Sequence, residues 1–153
     1  MNKNNISIVL PTLNEKKNLE SLIPSIADML ENNNLNFEYE ILVVDDGSTD
    51  GTSDYVNSLI RKSKCISFIE RTKKKSLPLS IYEGIENSKY SNVMWLDADG
   101  SMNAEAIKKL LEHYFSNTET THAVVGSRFT EGGGYKGVKD TKNQSILKSI
   151  QNV

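Results

Sequence analysis

Aspartates collect where short apolar runs end. Asp97 and Asp99 flank Ala98 directly after the run Asn92–Leu96, and Asp45 and Asp46 open the stretch Asp45-Asp46-Gly47-Ser48-Thr49-Asp50-Gly51 directly after Glu40–Val44. Two carboxylates as close as Asp97 and Asp99 repel and raise each other's pKa unless a cation sits between them or water screens them. Hard oxygen ligands with open positions suit Mg²⁺ or Mn²⁺, completed by water and the oxygens of a substrate diphosphate. The same two acids could instead cap the following helix or sit in a solvated turn. The Asp45–Gly51 stretch divides in the same way. Its residues are those of a tight turn, with Asp50 or Thr52 as helix cap, or one carboxylate accepts hydrogen bonds from a nucleobase or ribose.

Other side chains offer less. Arg128 follows another apolar run and either holds a phosphate bidentately or is a solvated loop arginine. The run Arg61, Lys62, Lys64, Arg71, Lys73, Lys74 and Lys75 reads as a solvated basic surface, with an anionic acceptor or lipid headgroup as its functional alternative. His113 and His122 lack partners at metal-ligand spacing, which excludes zinc. Cys65 reads as a small packing residue and Trp95 as core. No Gly-x-Ser-x-Gly elbow, phosphate-binding P-loop or Gly-x-Gly-x-x-Gly turn follows an apolar run, which weighs against hydrolase, P-loop ATPase and dinucleotide-oxidoreductase functions.

The elements that position these residues follow from periodicity. Ile6–Leu10, Glu40–Val44, Ser67–Glu70, Asn92–Leu96 and His122–Val125 are short, rich in apolar and β-branched residues, and predict five strands. Helical spacing links Leu19, Leu22, Ile23, Ile26, Met29 and Leu30, then Val56, Leu59 and Ile60, then Ala104, Ile107, Leu110, Leu111 and Tyr114. Alternating strands and helices predict an α/β fold, a mostly parallel sheet with helices on both faces. The near-continuous runs Ile41–Val44 and Val93–Leu96 suit central strands. The residues after each strand are then the ones to read for ligands.

From Thr130 to Lys142 the chain turns glycine- and lysine-rich and reads as a loop. Ile146, Leu147, Ile150 and Val153 then follow helical spacing that is still running where the sequence stops, so a continuation is expected. Composition bounds the rest. The 153 residues, 37% apolar and 25% charged, fit one domain with a single core. A formal charge of −2 gives no global basic field to recruit nucleic acid. One cysteine points to a reducing, cytoplasmic setting. No stretch reaches the roughly 18 apolar residues of a spanning helix, and the apolar run near the N-terminus is too short for a signal-peptide core.

The order of the blocks carries more than any of them alone. Ile8-Val9-Leu10-Pro11-Thr12-Leu13-Asn14-Glu15, then Ile41 to Thr52 with Asp45-Asp46-Gly47-Ser48, then Leu96-Asp97-Ala98-Asp99, then Val125-Gly126-Ser127-Arg128-Phe129 resembles the family 2 glycosyltransferases. The resemblance covers residues 6 to about 137 and is greatest to the dolichyl-phosphate mannose synthase branch and related polyprenyl-phosphate glycosyltransferases. It implies a GT-A fold, with residues 1–137 as the nucleotide-sugar-binding domain. Residues 138–153 would form a loop and the start of a helix leading to an acceptor-binding part. It also implies that Pro11, Thr12, Asn14, Glu15 and Asp46 hold the nucleoside, with Asp45 supporting the turn. Asp97 and Ala98 would lie at the ribose, and Asp97 and Asp99, with Ser101 more weakly, at Mn²⁺ or Mg²⁺. Arg128 would contact phosphate.

By the same resemblance, Asp97, Asp99 and Arg128 carry transfer of a sugar, with inversion, from GDP-mannose or a UDP-sugar to a polyprenyl phosphate or glycan, at the cytoplasmic face of a membrane. Ser76-Leu77-Pro78-Leu79-Ser80 replaces that branch's glycine-rich stretch, with Gly84 retained. Residues 1–153 are then expected to bind nucleotide without turnover, to touch a membrane peripherally, and to offer a sheet edge through which two copies could pair. The alternatives are a non-catalytic nucleotide- or protein-binding module and a sugar-phosphate nucleotidyltransferase. The latter would ordinarily carry a glycine-rich basic loop where Pro11–Glu15 stands.

Overall fold

The computed structural model describes residues 4–32 and 37–127. Four strands alternate with four helices: β1 (Asn5–Thr12), α1 (Lys16–Asn32), β2 (Glu38–Asp45), α2 (Thr52–Ile60), β3 (Ile66–Glu70), α3 (Leu77–Glu86), β4 (Val93–Trp95) and α4 (Ala104–Ser116). All pairings are parallel, in the order β3-β2-β1-β4. Strand order runs outward from β1 through β2 to β3, then jumps back to the other side of β1 for β4. The connections therefore diverge between β1 and β4 and leave a crevice at the carboxyl ends of these strands, the usual ligand position in such a sheet.

Side-chain alternation divides the core in two. Ile6, Ile8, Leu10, Ile41, Val43 and Ile66 meet the buried stripes of α1 and α4 and Val56 of α2. Each fully buried Leu or Ile here contributes roughly 1.5–3 kcal/mol. The other face is smaller: Val9, Leu42 and Val44 lie against α3. That helix packs close because residue 84 lacks a side chain. A Cβ there would sit 2.3 Å from Val9 Cγ1 and 3.1 Å from Val44 Cγ2, so larger residues would force the helix off the sheet. At the amino end of this face Glu40, 7% exposed, accepts from Ser7 Oγ, Ser67 Oγ and the Lys89 N–H, all at 2.9 Å. The network ties three strands to the segment entering β4 and satisfies a carboxylate that would otherwise be costly to bury.

The expected strands at Ile6–Leu10, Glu40–Val44, Ser67–Glu70 and Asn92–Leu96 correspond to β1 through β4. Three expectations need correction. His122–Val125 forms no strand, and Val125 is 83% exposed. The neighbouring edge strand β4 is only three residues long, so it offers little ladder for another strand to join. For the same reason Val93–Leu96 is not central among the described residues. Trp95 is 49% exposed on the outer strand rather than core. The Thr130–Lys142 loop and the pattern from Ile146 to Val153 lie outside the described residues. No described helix is long and apolar enough to cross a membrane.

Candidate functional site

Sheet hydrogen bonding continues one residue past the strands and so aims the loops. The Asp46 N–H donates to Thr12 O at 2.9 Å, and the Arg71 N–H to Asp45 O at 2.8 Å. Because Asp45 pairs with Glu70 in the register, Asp46 and Arg71 are the next cross-strand neighbours and leave the sheet on the same face. Their side chains meet there. Arg71, 4% exposed, bonds Asp46 Oδ1 through Nη1, Glu83 Oε2 through Nε at 3.1 Å and Ser80 Oγ at 3.1 Å. The second Asp46 oxygen accepts from the Ser76 N–H at the N-cap of α3. Arg71 is thus the one member of the basic run that is buried, against the expectation of a solvated surface. The carboxylates of Asp46 and Glu83 and the hydroxyl of Ser80 satisfy the guanidinium.

Asp45, 1% exposed, is the turn residue. Its Oδ2 accepts from the Gly47 N–H at 3.1 Å and the Ser48 N–H at 2.8 Å, and its Oδ1 from Thr12 Oγ1 at 3.1 Å and Ser48 Oγ. Gly47 at φ 81° permits that turn. The two readings of the acidic pair therefore divide between its members: Asp45 makes the turn and Asp46 faces the crevice.

The first and second loops are locked together. Asn14, in the left-handed region at φ 60°, a conformation asparagine tolerates better than most residues, accepts the Thr49 N–H at 2.8 Å and donates its own N–H to Ser48 Oγ at 2.7 Å. Asp50 bridges two helix starts, accepting from Lys16 N–H of α1 at 3.0 Å and from Thr52 N–H at 3.0 Å and Oγ1 at 2.6 Å. The Thr52 hydroxyl foremost, then the two backbone donors, hold the Asp50 carboxyl below its ordinary value. The residue at the α2 N-cap position is Gly51, so Asp50 serves that helix from one residue upstream.

Beyond β4 the helix-capping alternative is answered, because Asn103 Oδ1 accepts the Ala106 N–H at 2.9 Å and caps α4. Asp97 and Asp99 remain exposed around buried Ala98. The Ser101 N–H donates to Asp99 Oδ1 at 2.8 Å.

These loops enclose a cleft of about 450 Å³ at the carboxyl edge of the sheet. Of the residues singled out by sequence, Pro11, Thr12, Glu15, Asp46, Asp97, Ala98 and Asp99 line it. Asn14, Asp45 and Ser101 do not; they brace the loops. Arg128 lies outside the described residues. Lys75, Ser76, Leu77 and Ser80 form the opposite wall with Arg71 behind it; the sequence offers them only as part of a basic run and as the stretch in place of a glycine-rich one, and does not assign them to the nucleotide site. The available signal for Arg71 was its offset, immediately after β3 as Asp46 is immediately after β2.

Among the described residues no third Asp, Glu, His or Cys joins Asp97 and Asp99 as a closed metal cluster. Two exposed carboxylates on a wide cleft fit a hard divalent cation whose remaining positions go to water and ligand oxygens, and do not fit a sealed structural site.

Comparison with known proteins gives a consistent picture. A sequence profile described as "Glycosyl transferase family 2" matches residues 7–152. The chain is 34% identical over 128 residues to a dolichol-phosphate mannosyltransferase of Pyrococcus furiosus, covering 84% of this chain and 34% of the relative. It is 30% identical over 128 residues to an undecaprenyl-phosphate mannosyltransferase of Micrococcus luteus, covering 82% and 49%. The chain thus spans between a third and a half of the length of these curated relatives. In three dimensions it is similar to a mannosyltransferase of Pyrobaculum calidifontis solved with GDP-Man and Mn²⁺. The TM-score is 0.61 at 19% identity, over 74% of this chain and 33% of that one.

Proposed function

This chain belongs to glycosyl transferase family 2 and has the GT-A fold, and on that premise we propose that it is the donor-binding part of an enzyme that transfers a sugar from a nucleotide-diphosphosugar to a polyprenyl phosphate. The observation that carries this reading is the convergence of Pro11, Thr12, Glu15, Asp46, Asp97 and Asp99 on one cleft at the point where strand order reverses. The named activities of the curated relatives supply the acceptor class.

In this reading the Pro11–Glu15 segment and Asp46 hold the nucleoside. Asp46 can accept from a base only along directions left by Arg71 and the Ser76 N–H, so Arg71 acts through Asp46 by fixing the angle of its carboxylate. Asp97 and Asp99 would hold Mn²⁺ or Mg²⁺, and Ser101 braces Asp99 through its backbone N–H. When bound, the cation neutralises charge that accumulates on the departing nucleoside diphosphate. Arg128 contacts phosphate on the donor or the acceptor.

A lipid-phosphate oxygen attacks the anomeric carbon from the side opposite the leaving group. A carbon–oxygen bond forms to the lipid phosphate as the one to the nucleoside diphosphate breaks, and the anomeric centre inverts. The nucleophile is already anionic, so no residue need remove a proton from it.

Calorimetric titration of the purified chain with GDP and with UDP, each with and without Mn²⁺, tests the donor site. Metal-dependent binding of one nucleotide, lost in Asp99→Ala, is the expected result. Equal metal-independent binding by both proteins, or none by a folded chain, overturns it.

A further inference from the structure

Beside the cleft, Lys73, Lys74 and Leu79 make a surface that does not line it. Lys73, Lys74 and Lys75 are consecutive and exposed, and they lead directly into Leu77, Pro78 and Leu79 in the first turn of α3. Leu77 is 51% exposed and Leu79 50%. Lys75 and Leu77 line one wall of the cleft and Leu13, 41% exposed, lines it too, so this surface is the rim of the cleft mouth.

Two features set the rim apart from ordinary solvated surface. The first is where α3 spends its apolar residues. The residues it buries are Ser80 and Gly84, while Leu77, Leu79, Tyr82 and Ile85 stay exposed. In α1, by contrast, Leu19, Leu22, Ile23, Ile26, Met29 and Leu30 are all buried. The second is charge. Among the described residues neither Lys73 nor Lys74 forms an ion pair, and Lys75 Nζ reaches only the Gly47 carbonyl at 3.3 Å. A chain of net charge −2 therefore concentrates positive charge beside leucines at one place.

We propose that the Lys73–Leu79 segment docks the cleft mouth onto an anionic lipid bilayer, with the lysines among the headgroups and the leucines in the acyl boundary. Lysines next to exposed leucines match the two components of interfacial binding, electrostatic attraction and shallow apolar insertion. A nucleic acid would reward the lysines but not the leucines. The inference rests on the reading above only in that a polyprenyl-phosphate acceptor resides in a membrane.

The test is flotation of the purified chain with vesicles of phosphatidylcholine alone and of phosphatidylcholine with phosphatidylglycerol, at low and high salt, without nucleotide. The wild-type chain is expected to float only with the anionic vesicles and to detach as salt rises. Lys73→Gln with Lys74→Gln should weaken binding by roughly fivefold per lysine. Leu79→Gln should weaken it by about tenfold while keeping the salt dependence.

All three positions are exposed and none lines the cleft, so thermal melting and nucleotide titration of the variants should match wild type. Wild-type affinity in the double lysine variant overturns the proposal. So does failure of the wild-type chain to float. If that failure accompanies self-association that the same substitutions abolish, the surface belongs to a protein contact. Because nucleotide binding is read separately, loss of vesicle binding with intact titration refutes docking alone, and the converse refutes the donor site alone.

Discussion

The loop after β2 buries its acids and the loop after β4 exposes them. Asp45 and Asp46 are 1% and 6% accessible and are bonded by Thr12, Gly47, Ser48, Arg71 and Ser76. Asp97 and Asp99 stand in solvent around one buried alanine. Protein donors occupy most of the lone pairs in the first loop, which makes its shape independent of any ligand. In the second loop both side chains reach solvent, where a hard cation can approach them. One loop is a mould and the other a receptor, although the sequence spells both as paired aspartates after an apolar strand.

The sharpest way to break this contrast is Arg71→Met, which strands Asp46 in a buried position without its cation. Removing one partner of such a pair typically costs about 3–5 kcal/mol, so chemical denaturation should show the largest loss of stability of any variant here, whether or not nucleotide is present. Asp99→Ala should behave in the opposite way. Its melting curve should overlay wild type, while Mn²⁺-dependent nucleotide affinity falls on the order of a hundredfold, about 2.7 kcal/mol. A lowered melting temperature would show the second loop to be a mould as well.

Asp45→Asn comes next. The amide keeps an acceptor for the Gly47 and Ser48 N–H groups but sets an NH₂ against hydroxyls that can turn to accept, so a loss of about 1–2 kcal/mol is expected in urea unfolding. The smallest effect belongs to Asp50. Its carboxyl is held below the ordinary value by Thr52, so the stability it adds is complete above the unfolded value of 3.8 and is lost as pH falls through the lower folded value. Stability curves of wild type and Asp50→Asn should therefore run parallel at neutral pH and converge only in acid. Convergence at neutral pH would remove Asp50 from the bridge between α1 and α2.

What could be read from residues alone tracks how each element spends its side chains. β1, β2 and β3 were legible because their apolar or β-branched runs pack into the sheet, and α1 and α4 because their buried residues recur at helical spacing. α3 was not legible from periodicity. It presents a serine and a glycine to the sheet, which no apolar pattern reveals.

His122–Val125 failed for the converse reason. Local composition favours extension, but a strand exists only where a neighbour offers a ladder. In the site, Asp46, Asp97 and Asp99 were visible because strands end just before them. Arg71 was hidden among lysines and arginines that are exposed, and only the β2–β3 register distinguishes it.

The exposure of Trp95 has a practical side. It is the sole tryptophan, it lies two residues before Asp97 on the outermost strand among the described residues, and about half of it is exposed. Its emission should be that of a wet indole, shifted to the red, and should move to the blue when anything covers that strand. The chain thus carries its own optical reporter beside the cleft, readable without a label.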